Sequence, residues 1–149
     1  MKKITLIHAS MTGNAEFVAD NVKEALQEAG HTVKEFSLND EEEINFLHQE
    51  SDCIVGVTST WGEGDPPDEA VPFFENLRNA RPLGLNRSIA VLSLGDSSYD
   101  IFCGCGKELE KELIRHGGTP LLERVDCDVD YEDDSDQWIK NLVEKINAA

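Results

Sequence analysis

Short runs of consecutive apolar residues alternate along the chain with longer segments in which apolar residues recur every three or four positions. The first pattern is typical of strands covered on both faces of a sheet, and the second is typical of amphipathic helices. Together they predict five strands and four helices in the order β-α-β-β-α-β-α-β-α. The strands are predicted at 3–9, 32–38, 52–58, 87–94 and 120–125, and the helices at 14–29, 68–80, 101–116 and 134–146.

Strands that are separated by helices imply right-handed crossovers and a parallel sheet with helices on both faces. The predicted fold is therefore an α/β doubly wound sheet, and 149 residues suit a single domain, 1–149. An acidic, solvated stretch at 39–50 replaces one crossover helix, with one helical turn around Ile44, Phe46 and Leu47. In such a sheet the ligand site lies at the carboxyl ends of the strands.

The loop after the first strand, residues 10–15, joins it to the first helix. It reads Ser10, Met11, Thr12, Gly13, Asn14 and Ala15. Hydroxyl and amide groups around a glycine at a helix N-terminus are typical of an anion site, most of all for phosphate. Because no Lys or Arg is present, this is not a nucleoside-triphosphate loop of the Walker type. An ordinary capped helix start is the alternative interpretation.

The next two strand ends open into polar loops that each contain one aromatic residue. The second loop, residues 59–65, includes Ser59, Thr60, Trp61, Gly62 and Gly64. The third loop, residues 95–100, follows Leu94 and includes Gly95, Asp96 and Tyr99. Trp61 has no apolar neighbours in its loop, although it could fold back onto the helix below. Two aromatic rings beside a phosphate loop favour a planar heteroaromatic ligand with a phosphate tail.

These loops resemble the three FMN-binding loops of flavodoxins. They are most similar to the FMN domain of the sulfite reductase flavoprotein and its cytochrome P450 reductase relatives. The resemblance rests on Ser-x-Thr-Gly-Asn-Ala, Ser-Thr-x-Gly-Glu-Gly-Asp-Pro-Pro, Leu-Gly-Asp-Ser-Ser-Tyr with Phe-Cys shortly after it, and Leu-Leu-Glu-Arg-Val-Asp-Cys-Asp-Val. It covers essentially the whole chain. It implies a short-chain, flavodoxin-like five-stranded parallel sheet with the order 2-1-3-4-5.

The resemblance also implies a role for individual residues. Trp61 would cover the inner face of the isoalloxazine ring and Tyr99 its outer face, while the Gly62 carbonyl would turn toward flavin N5. Asp96 and Cys103 would reach the pyrimidine edge, largely through backbone groups. The phosphate would be held by Ser10, Thr12, Gly13, Asn14 and Ala15, and the remaining contacts would come from Met11, Ser59, Thr60, Gly64, Leu94, Gly95 and Phe102.

Two positions depart from the pattern of these relatives. Many flavodoxins carry Thr at the position of Ala15, so one hydroxyl contact is missing here. The sulfite reductase branch commonly has Gln or another non-aromatic residue at the position of Trp61, whereas short flavodoxins often have Trp. The chain thus combines a reductase-like framework with a flavodoxin-like inner aromatic residue.

Charge restricts the classes of partner. Thirteen basic and thirty acidic residues give a net charge of -17, which argues against nucleic acid and anionic membranes as partners. Basic protein surfaces are the natural complement, and the alternative is that the acidic residues serve only solubility. No apolar run reaches the ~20 residues of a membrane span, and Met1 leads directly into a strand pattern rather than a signal peptide. We therefore expect a cytoplasmic monomer that binds neither nucleic acid nor membrane.

The sequence contains no recognisable substrate chemistry. His8, His31, His48 and His116 are scattered, so each is expected to be exposed or structurally satisfied. No Gly-x-Gly-x-x-Gly fingerprint for a dinucleotide is present. We therefore expect an electron carrier rather than an enzyme, with FMN passing single electrons. The donor would be a flavodoxin reductase and the acceptor a metalloprotein or other redox enzyme, both with basic surfaces.

Two alternatives remain open. The chain could be the FMN domain of a diflavin reductase, such as the sulfite reductase flavoprotein. The deciding observation is whether the gene continues past Ala149 into an FAD/NADPH region, and the start at Met1 with an end just after the last helix favours independence. Alternatively, the fold could serve binding or assembly only, in which case the protein would be colourless and take up no FMN.

Two further segments resemble metal sites superficially. The acidic run 126–136 opens like a calcium loop, but Tyr131 stands where Gly is needed and Gln137 stands where Glu is needed. Cys103 and Cys105 lack both the spacing and the second pair of a zinc site. We expect no metal, and we interpret 126–136 as a solvated acidic patch that docks a partner on the flavin side of the sheet.

Overall fold

The computed structural model describes residues 1–10, 13–40, 43–60, 64–98 and 102–149. Its strands are β1 Lys3–Ala9, β2 Thr32–Ser37, β3 Cys53–Ser59, β4 Arg87–Leu94, β5 Gly118–Pro120 and β6 Val125–Cys127. Its helices are α1 Asn14–Glu28, α2 Val71–Asn79, α3 Gly104–Arg115 and α4 Glu132–Ala148, with short 3₁₀ helices at Asn45–His48 and Asp68–Ala70. The sheet is parallel with the order β2-β1-β3-β4-β5, and β6 also pairs with β4. This confirms the predicted order 2-1-3-4-5.

Each face of the sheet has its own apolar core. Alternate β1 side chains point to opposite faces, so that Leu6 lies in the core under α1 and α4 while Ile7 lies in the core under α2 and α3. On the second face the rings of Phe73 and Phe74 are fully buried. Both faces of the sheet are thus covered, which explains why β1, β3 and β4 appear in the sequence as almost continuous apolar runs.

The acidic stretch 39–50 contains the predicted helical turn, but its apolar residues are not solvated. Phe46 and Leu47, in the Asn45–His48 turn, are only 9% and 1% exposed. The ring of Phe46 lies 4.5 Å from that of Phe36 and 6.0 Å from that of Phe73, centroid to centroid. One turn therefore covers the part of the sheet that a full crossover helix would cover. Glu41 and Glu42 lie outside the described residues.

The prediction of one continuous strand at 120–125 is wrong. The edge is formed by two short strands, β5 and β6, which pair with β4 at Ile89↔Pro120 and Leu92↔Val125. Between these pairs β4 advances three positions and the edge chain advances five, so two extra residues leave the ladder. Pro120 does not itself end the pairing, because the Leu121 N–H still donates to the Ile89 carbonyl at 2.8 Å; proline is tolerated here because the edge offers no partner for its missing N–H. The intervening segment is held by its own contacts, since the Trp138 indole N–H donates to the Glu123 carbonyl at 3.2 Å.

Several helix boundaries also differ from the prediction. Helix α3 begins at Gly104 rather than at Ile101, which lies outside the described residues, because Cys103 has a left-handed backbone with φ of 56°. The segment 68–80 is divided into the Asp68–Ala70 3₁₀ helix and α2. Helix α4 starts two residues early, at Glu132, where acidic side chains favour a helix N-terminus. None of the described helices is both long and apolar enough to span a bilayer.

The contact between α3 and β4 generates a test of the packing. A Cβ added at Gly106 would lie 2.2 Å from the Cβ of Ser93, an atom fixed by the strand backbone. We expect Gly106→Ala to destabilise the protein by about 2 kcal/mol, because so close a contact puts the overpacking cost near the upper end of its range of about 1–3 kcal/mol, against a gain of about 1 kcal/mol in helix propensity. Denaturant unfolding measures this change. The neighbouring, exposed Lys107→Ala is the control, and equal stability of the two variants would contradict the packing argument.

Candidate functional site

The carboxyl ends of β1, β3 and β4 meet at one edge of the sheet. The register pairs Ala9 with Thr58 and Ser59 with Leu94, so the three strands end within one residue of each other. The Ser59 hydroxyl donates to the Ala9 carbonyl at 3.4 Å, and the Thr60 N–H donates to the Leu94 carbonyl at 2.9 Å. The first, second and third loops consequently leave the sheet side by side, as the sequence predicts.

The first loop is folded by its own polar groups. The Ser10 hydroxyl oxygen accepts the Gly13 N–H at 2.7 Å, and Gly13 has φ of 92°, a left-handed conformation that favours glycine. Helix α1 starts at the next residue, Asn14, and none of the side chains that the structure describes caps it. The side-chain amide of Asn39, just beyond β2, donates to the Ser10 carbonyl at 3.0 Å. Met11 and Thr12 lie outside the described residues.

A cavity of about 360 Å³ lies against this first loop. The described residues that line it are Ser10, Gly13, Glu16, Asn39, Pro67, Asp68 and Glu69. These lining residues include three carboxylates and no Lys or Arg. The hydroxyl and backbone N–H groups at the start of α1 suit a phosphate that is held by neutral donors. The nearby carboxylates repel a phosphate dianion. The loop must therefore hold a phosphate by well-placed hydrogen-bond donors rather than by net positive charge.

The second loop is tied to the start of α3. The Thr60 hydroxyl oxygen accepts the Cys105 N–H at 3.1 Å, which leaves the hydroxyl hydrogen available to a ligand. Gly64 has φ of 96° and turns the chain back toward the buried residues Pro66 and Pro67. Trp61, Gly62 and Glu63 lie outside the described residues, so the predicted ring contact of Trp61 falls there.

The third loop is tied to the end of β6. The Gly95 N–H donates to the Cys127 carbonyl at 2.9 Å, and the Ser97 N–H donates to Asp128 Oδ1 at 3.0 Å. The Ser97 hydroxyl donates to Asp128 Oδ2. These bonds from the Ser97 hydroxyl and N–H, with one from the Val129 N–H, lower the pKa of the Asp128 carboxyl. The carboxylate therefore stays charged and keeps accepting hydrogen bonds well into the acid range.

Asp96 closes the turn of the third loop with its side chain. One carboxylate oxygen, Oδ1, accepts both the Ser98 N–H at 2.9 Å and the Ser98 hydroxyl at 2.7 Å. One oxygen of this side chain is therefore engaged within the loop, and the predicted contact of the Asp96 backbone with a ligand stays a prediction. Tyr99 and Asp100 lie outside the described residues.

Cys103 lies at the base of the third loop and is fully buried. Its Sγ lies 3.7 Å from the carbonyl oxygens of Ser93 and Cys127, and a Cβ added at Gly95 would lie 2.9 Å from that Sγ. Only glycine at position 95 lets the two ends of the loop meet. Leu94 is 5% exposed, while Phe102 is half-buried with the Lys107 ammonium 5.9 Å from its ring centroid.

Two of the residues that shape the site were missed by the sequence analysis, namely Asn39 and Asp128. Asp128 directly follows β6, and Asn39 lies two residues after the end of β2, both at the edge where the ligand of a doubly wound sheet belongs. That position was the available signal. Asp128 was assigned instead to the acidic patch 126–136. Within the described residues no cluster of His, Cys, Asp or Glu is arranged to hold a metal, and the Asp126 carboxylate is paired with Arg124 at 2.8 Å.

The four histidines follow the expectation with one exception. His116 is buried with both ring nitrogens in hydrogen bonds, His31 accepts the Lys2 N–H at 3.1 Å, and His48 is exposed. His8, near the end of β1, is 7% exposed with Nε2 3.7 Å from a Glu35 oxygen, and its Nδ1 has no partner among the described residues. It is therefore buried but incompletely satisfied.

A family model described as Flavodoxin matches residues 6–139. The chain belongs to the flavodoxin family. Flavodoxins bind FMN and transfer electrons, and this chain is an FMN electron-transfer domain of that type. The resemblance inferred from the loop motifs is thereby confirmed.

The relatives fall into two groups. The chain is 42% identical over 148 residues to the sulfite reductase [NADPH] flavoprotein alpha-component of Vibrio vulnificus, and 38% identical over 149 residues to that of Bacillus subtilis. These matches cover 99% of this chain but 24% of each relative, so the chain spans about a quarter of their length.

The second group consists of solved flavodoxin structures. The flavodoxin of Streptococcus pneumoniae TIGR4 superposes with a TM-score of 0.83 at 29% identity, over 98% of both chains. Oxidised flavodoxin 1 of Bacillus cereus superposes with a TM-score of 0.82 at 26% identity, over 96% of this chain and 95% of that one. The chain thus has the dimensions of a short flavodoxin and a sequence closer to that of a reductase domain.

The buried cysteines of this flavodoxin generate a prediction. Burial raises the pKa of Cys103 to about 11 and those of Cys53, Cys105 and Cys127 to about 12, so all four thiols stay protonated at neutral pH. We expect no reaction with dithiobis(nitrobenzoate) at pH 8 in the native protein and four reactive thiols in denaturant.

The same shifts predict how stability depends on pH. An unfolded thiol ionises near its ordinary pKa of 9.0, whereas the folded ones ionise at about 11 to 12. As the pH rises, the unfolded state therefore loses its thiol protons before the folded state does. The free energy of unfolding that the buried thiols contribute below pH 9 is lost as the pH rises from 9 through about 11 to 12. Rapid labelling of a native thiol at pH 8 would contradict the burial argument.

Proposed function

We propose that this domain carries electrons one at a time between two protein partners, using FMN held by the first, second and third loops. FMN, when bound, accepts and releases electrons singly, so the chain itself must bind and orient the cofactor and control its surroundings. The observation that supports this proposal is the convergence of three polar loops at one sheet edge, fixed by the β1, β3 and β4 register.

The first loop is proposed to bind the phosphate. Gly13 and Asn14 lie at the N-terminal end of α1, where backbone N–H groups and the helix dipole favour an anion. Thr12 and Ala15 are proposed to complete this loop, with Met11 between them. Because the Ser10 hydroxyl oxygen already accepts the Gly13 N–H, its hydrogen is free to donate to a phosphate oxygen.

The second and third loops are proposed to bind the ring. We assign Trp61 to the inner face and Tyr99 to the outer face, where they would exclude water from the flavin. We assign the Gly62 carbonyl to flavin N5 because a glycine lets that peptide reorient at low cost. The backbone groups of Asp96 and Cys103 are assigned to the pyrimidine edge. The remaining contacts are assigned to Ser59, Thr60, Gly64, Leu94, Gly95 and Phe102.

The acidic surroundings are proposed to set a low reduction potential. Glu16, Asp68 and Glu69 line the cavity at the first loop, and no cation in the described lining offsets them. One negative charge about 8 Å from the ring in water-like dielectric opposes each added electron by about 0.5 kcal/mol. That energy corresponds to roughly 20 mV for a one-electron couple. Several such charges would lower the reduction potential enough to make the reduced domain a strong electron donor.

The partners are proposed to be redox proteins with basic surfaces. The acidic patch 126–136 starts at the end of β6, and Asp128 within it contacts the third loop, so a partner that docks there would lie near the flavin. A flavodoxin reductase is the proposed donor, and a metalloprotein or other redox enzyme the proposed acceptor. We propose that the domain acts in the cytoplasm as a monomer.

A second candidate is the FMN module of a longer NADPH-dependent flavoprotein. The 42% identity to sulfite reductase flavoproteins, of which the chain spans about a quarter, favours this reading. The two candidates differ in how the donor is supplied. A carrier should turn over repeatedly when mixed with a separate FAD-containing reductase, whereas a module should depend on covalent linkage to its FAD region.

The aromatic residue of the second loop provides a direct test. We expect the purified protein to take up FMN and become yellow, and Trp61→Ala to weaken FMN binding about tenfold, since one stacking contact contributes about 0.5–1.5 kcal/mol. The potential of the second one-electron step should rise, because an electron-rich face is lost. Absorbance and spectroelectrochemical titration measure both quantities.

Two controls accompany this measurement. Trp61→Phe retains an aromatic face and should keep most of the affinity. Trp138→Phe changes a buried indole in α4 and should leave the potential unchanged. A wild-type protein that stays colourless with added FMN would overturn the proposed function, and an unchanged potential in Trp61→Ala would overturn the role of the ring.

The net charge generates a prediction about rates. Electron transfer from the reduced domain to a basic acceptor such as cytochrome c should slow as ionic strength rises, because salt screens the attraction that steers docking. Stopped-flow rates between about 10 mM and 500 mM salt span Debye lengths of about 30 Å to less than 8 Å. The anionic acceptor ferricyanide is the control and should show the opposite trend. Rates to cytochrome c that do not change with salt would contradict electrostatic docking.

A further inference from the structure

The third loop is connected to the end of β6 by hydrogen bonds that no local sequence pattern suggests. Asp128 accepts the N–H and the hydroxyl of Ser97, a residue 31 positions earlier, with one carboxylate oxygen for each donor. Asp128 Oδ1 also accepts the Val129 N–H at 2.8 Å, which orients the carboxylate toward the loop. A two-point contact of this kind fixes both the position and the orientation of the turn.

The base of the same loop is fixed independently. The Gly95 N–H donates to the Cys127 carbonyl, and the buried Cys103 packs against Gly95. Residues 127 and 128 together therefore contact the loop at its base and at its middle. Within the loop the Asp96 carboxylate closes the turn on Ser98, one residue before Tyr99.

We propose that Asp128 is a positioning residue of the flavin site, which holds the third loop in its binding conformation before FMN arrives. This inference rests on the proposed function of the loop. A loop that is already ordered loses less conformational entropy when its ligand binds, so the Asp128 contact should strengthen FMN binding without touching the cofactor. Asp128 lies in the acidic patch 126–136 and shares the negative charge of that patch. Its two hydrogen bonds to Ser97 give it a second role, which is to position the third loop.

The neighbouring Asp130 separates these two roles. It carries the same charge two residues further on, and no hydrogen bond or ion pair involves it among the described residues. If the patch acted on FMN only through its electrostatic field, removal of either charge would have a similar effect. If the hydrogen bonds matter, only Asp128 should be sensitive.

The test compares FMN affinity and dissociation rate in five proteins: wild type, Asp128→Ala, Asp128→Asn, Ser97→Ala and Asp130→Ala. We expect Asp128→Ala to raise the FMN dissociation constant and dissociation rate about fivefold, the size expected for lost hydrogen bonds near the surface. Asp128→Asn keeps an acceptor for the Ser97 N–H and should recover most of the affinity. Ser97→Ala should lie between, and Asp130→Ala should match wild type.

A second readout uses the FMN-free protein. The backbone amides of Ser97 and Ser98 should show reduced heteronuclear NOE values in Asp128→Ala and wild-type values in Asp130→Ala, because the loop loses its contact even without ligand. Thermal unfolding of each variant, with Asp128→Asn as the second variant at the same position, separates this local effect from a general loss of folding.

The outcomes distinguish this inference from the proposed function. Wild type that binds FMN while Asp128→Ala binds equally tightly would overturn the positioning role and leave the proposed function intact. Equal weakening in Asp128→Ala, Asp128→Asn and Asp130→Ala would also overturn it, in favour of charge. A wild type that binds no FMN would overturn the proposed function and, with it, this inference.

Discussion

The parallel register of β1, β3 and β4 is the constraint on which the site depends. It pairs Ala9 with Thr58 and Ser59 with Leu94, so three loops start at nearly the same height above the sheet. A shift of one residue in any pair would move a strand's side chains to the opposite face and would separate the loops from one another. The apolar side chains buried on both faces hold this register, and in this way the core positions the polar site.

The polar side chains of the loops mainly shape the loops themselves. The hydroxyl oxygens of Ser10 and Thr60 accept the backbone N–H groups of Gly13 and Cys105. The Asp96 carboxylate accepts the backbone N–H and the hydroxyl of Ser98. In a sequence such residues look like direct ligands of a phosphate or a ring. In the fold they satisfy the backbone of a loop that lacks regular secondary structure. What they leave for a ligand is a set of hydroxyl hydrogens and oriented backbone groups.

Most of the fold was predictable because apolar periodicity and glycine placement are local signals. The alternation of strands and helices, the four helices and the turn at Asn45–His48 follow from them, whereas the strand order 2-1-3-4-5 was implied by the resemblance of the loop motifs. The division of the last strand did not, because the two extra residues that leave the ladder with β4 carry no local signal, and the contact of Glu123 with Trp138 is made fifteen residues away. The bonds between Ser97 and Asp128 and the partial satisfaction of His8 were missed for the same reason. Tertiary pairings of this kind leave no trace in the spacing of either partner.

The divided edge strand also affects how the molecule meets its own copies. An unbroken outer strand would present a row of free backbone groups onto which a second chain could add and extend the sheet. Here β5 and β6 each offer three residues, and the two extra residues between them displace the chain from the line of the ladder. A foreign strand would find no continuous template at this edge. The irregularity that the sequence did not predict therefore protects this edge of the sheet from β-pairing with another copy, whereas β2 at the opposite edge is an unbroken strand of six residues.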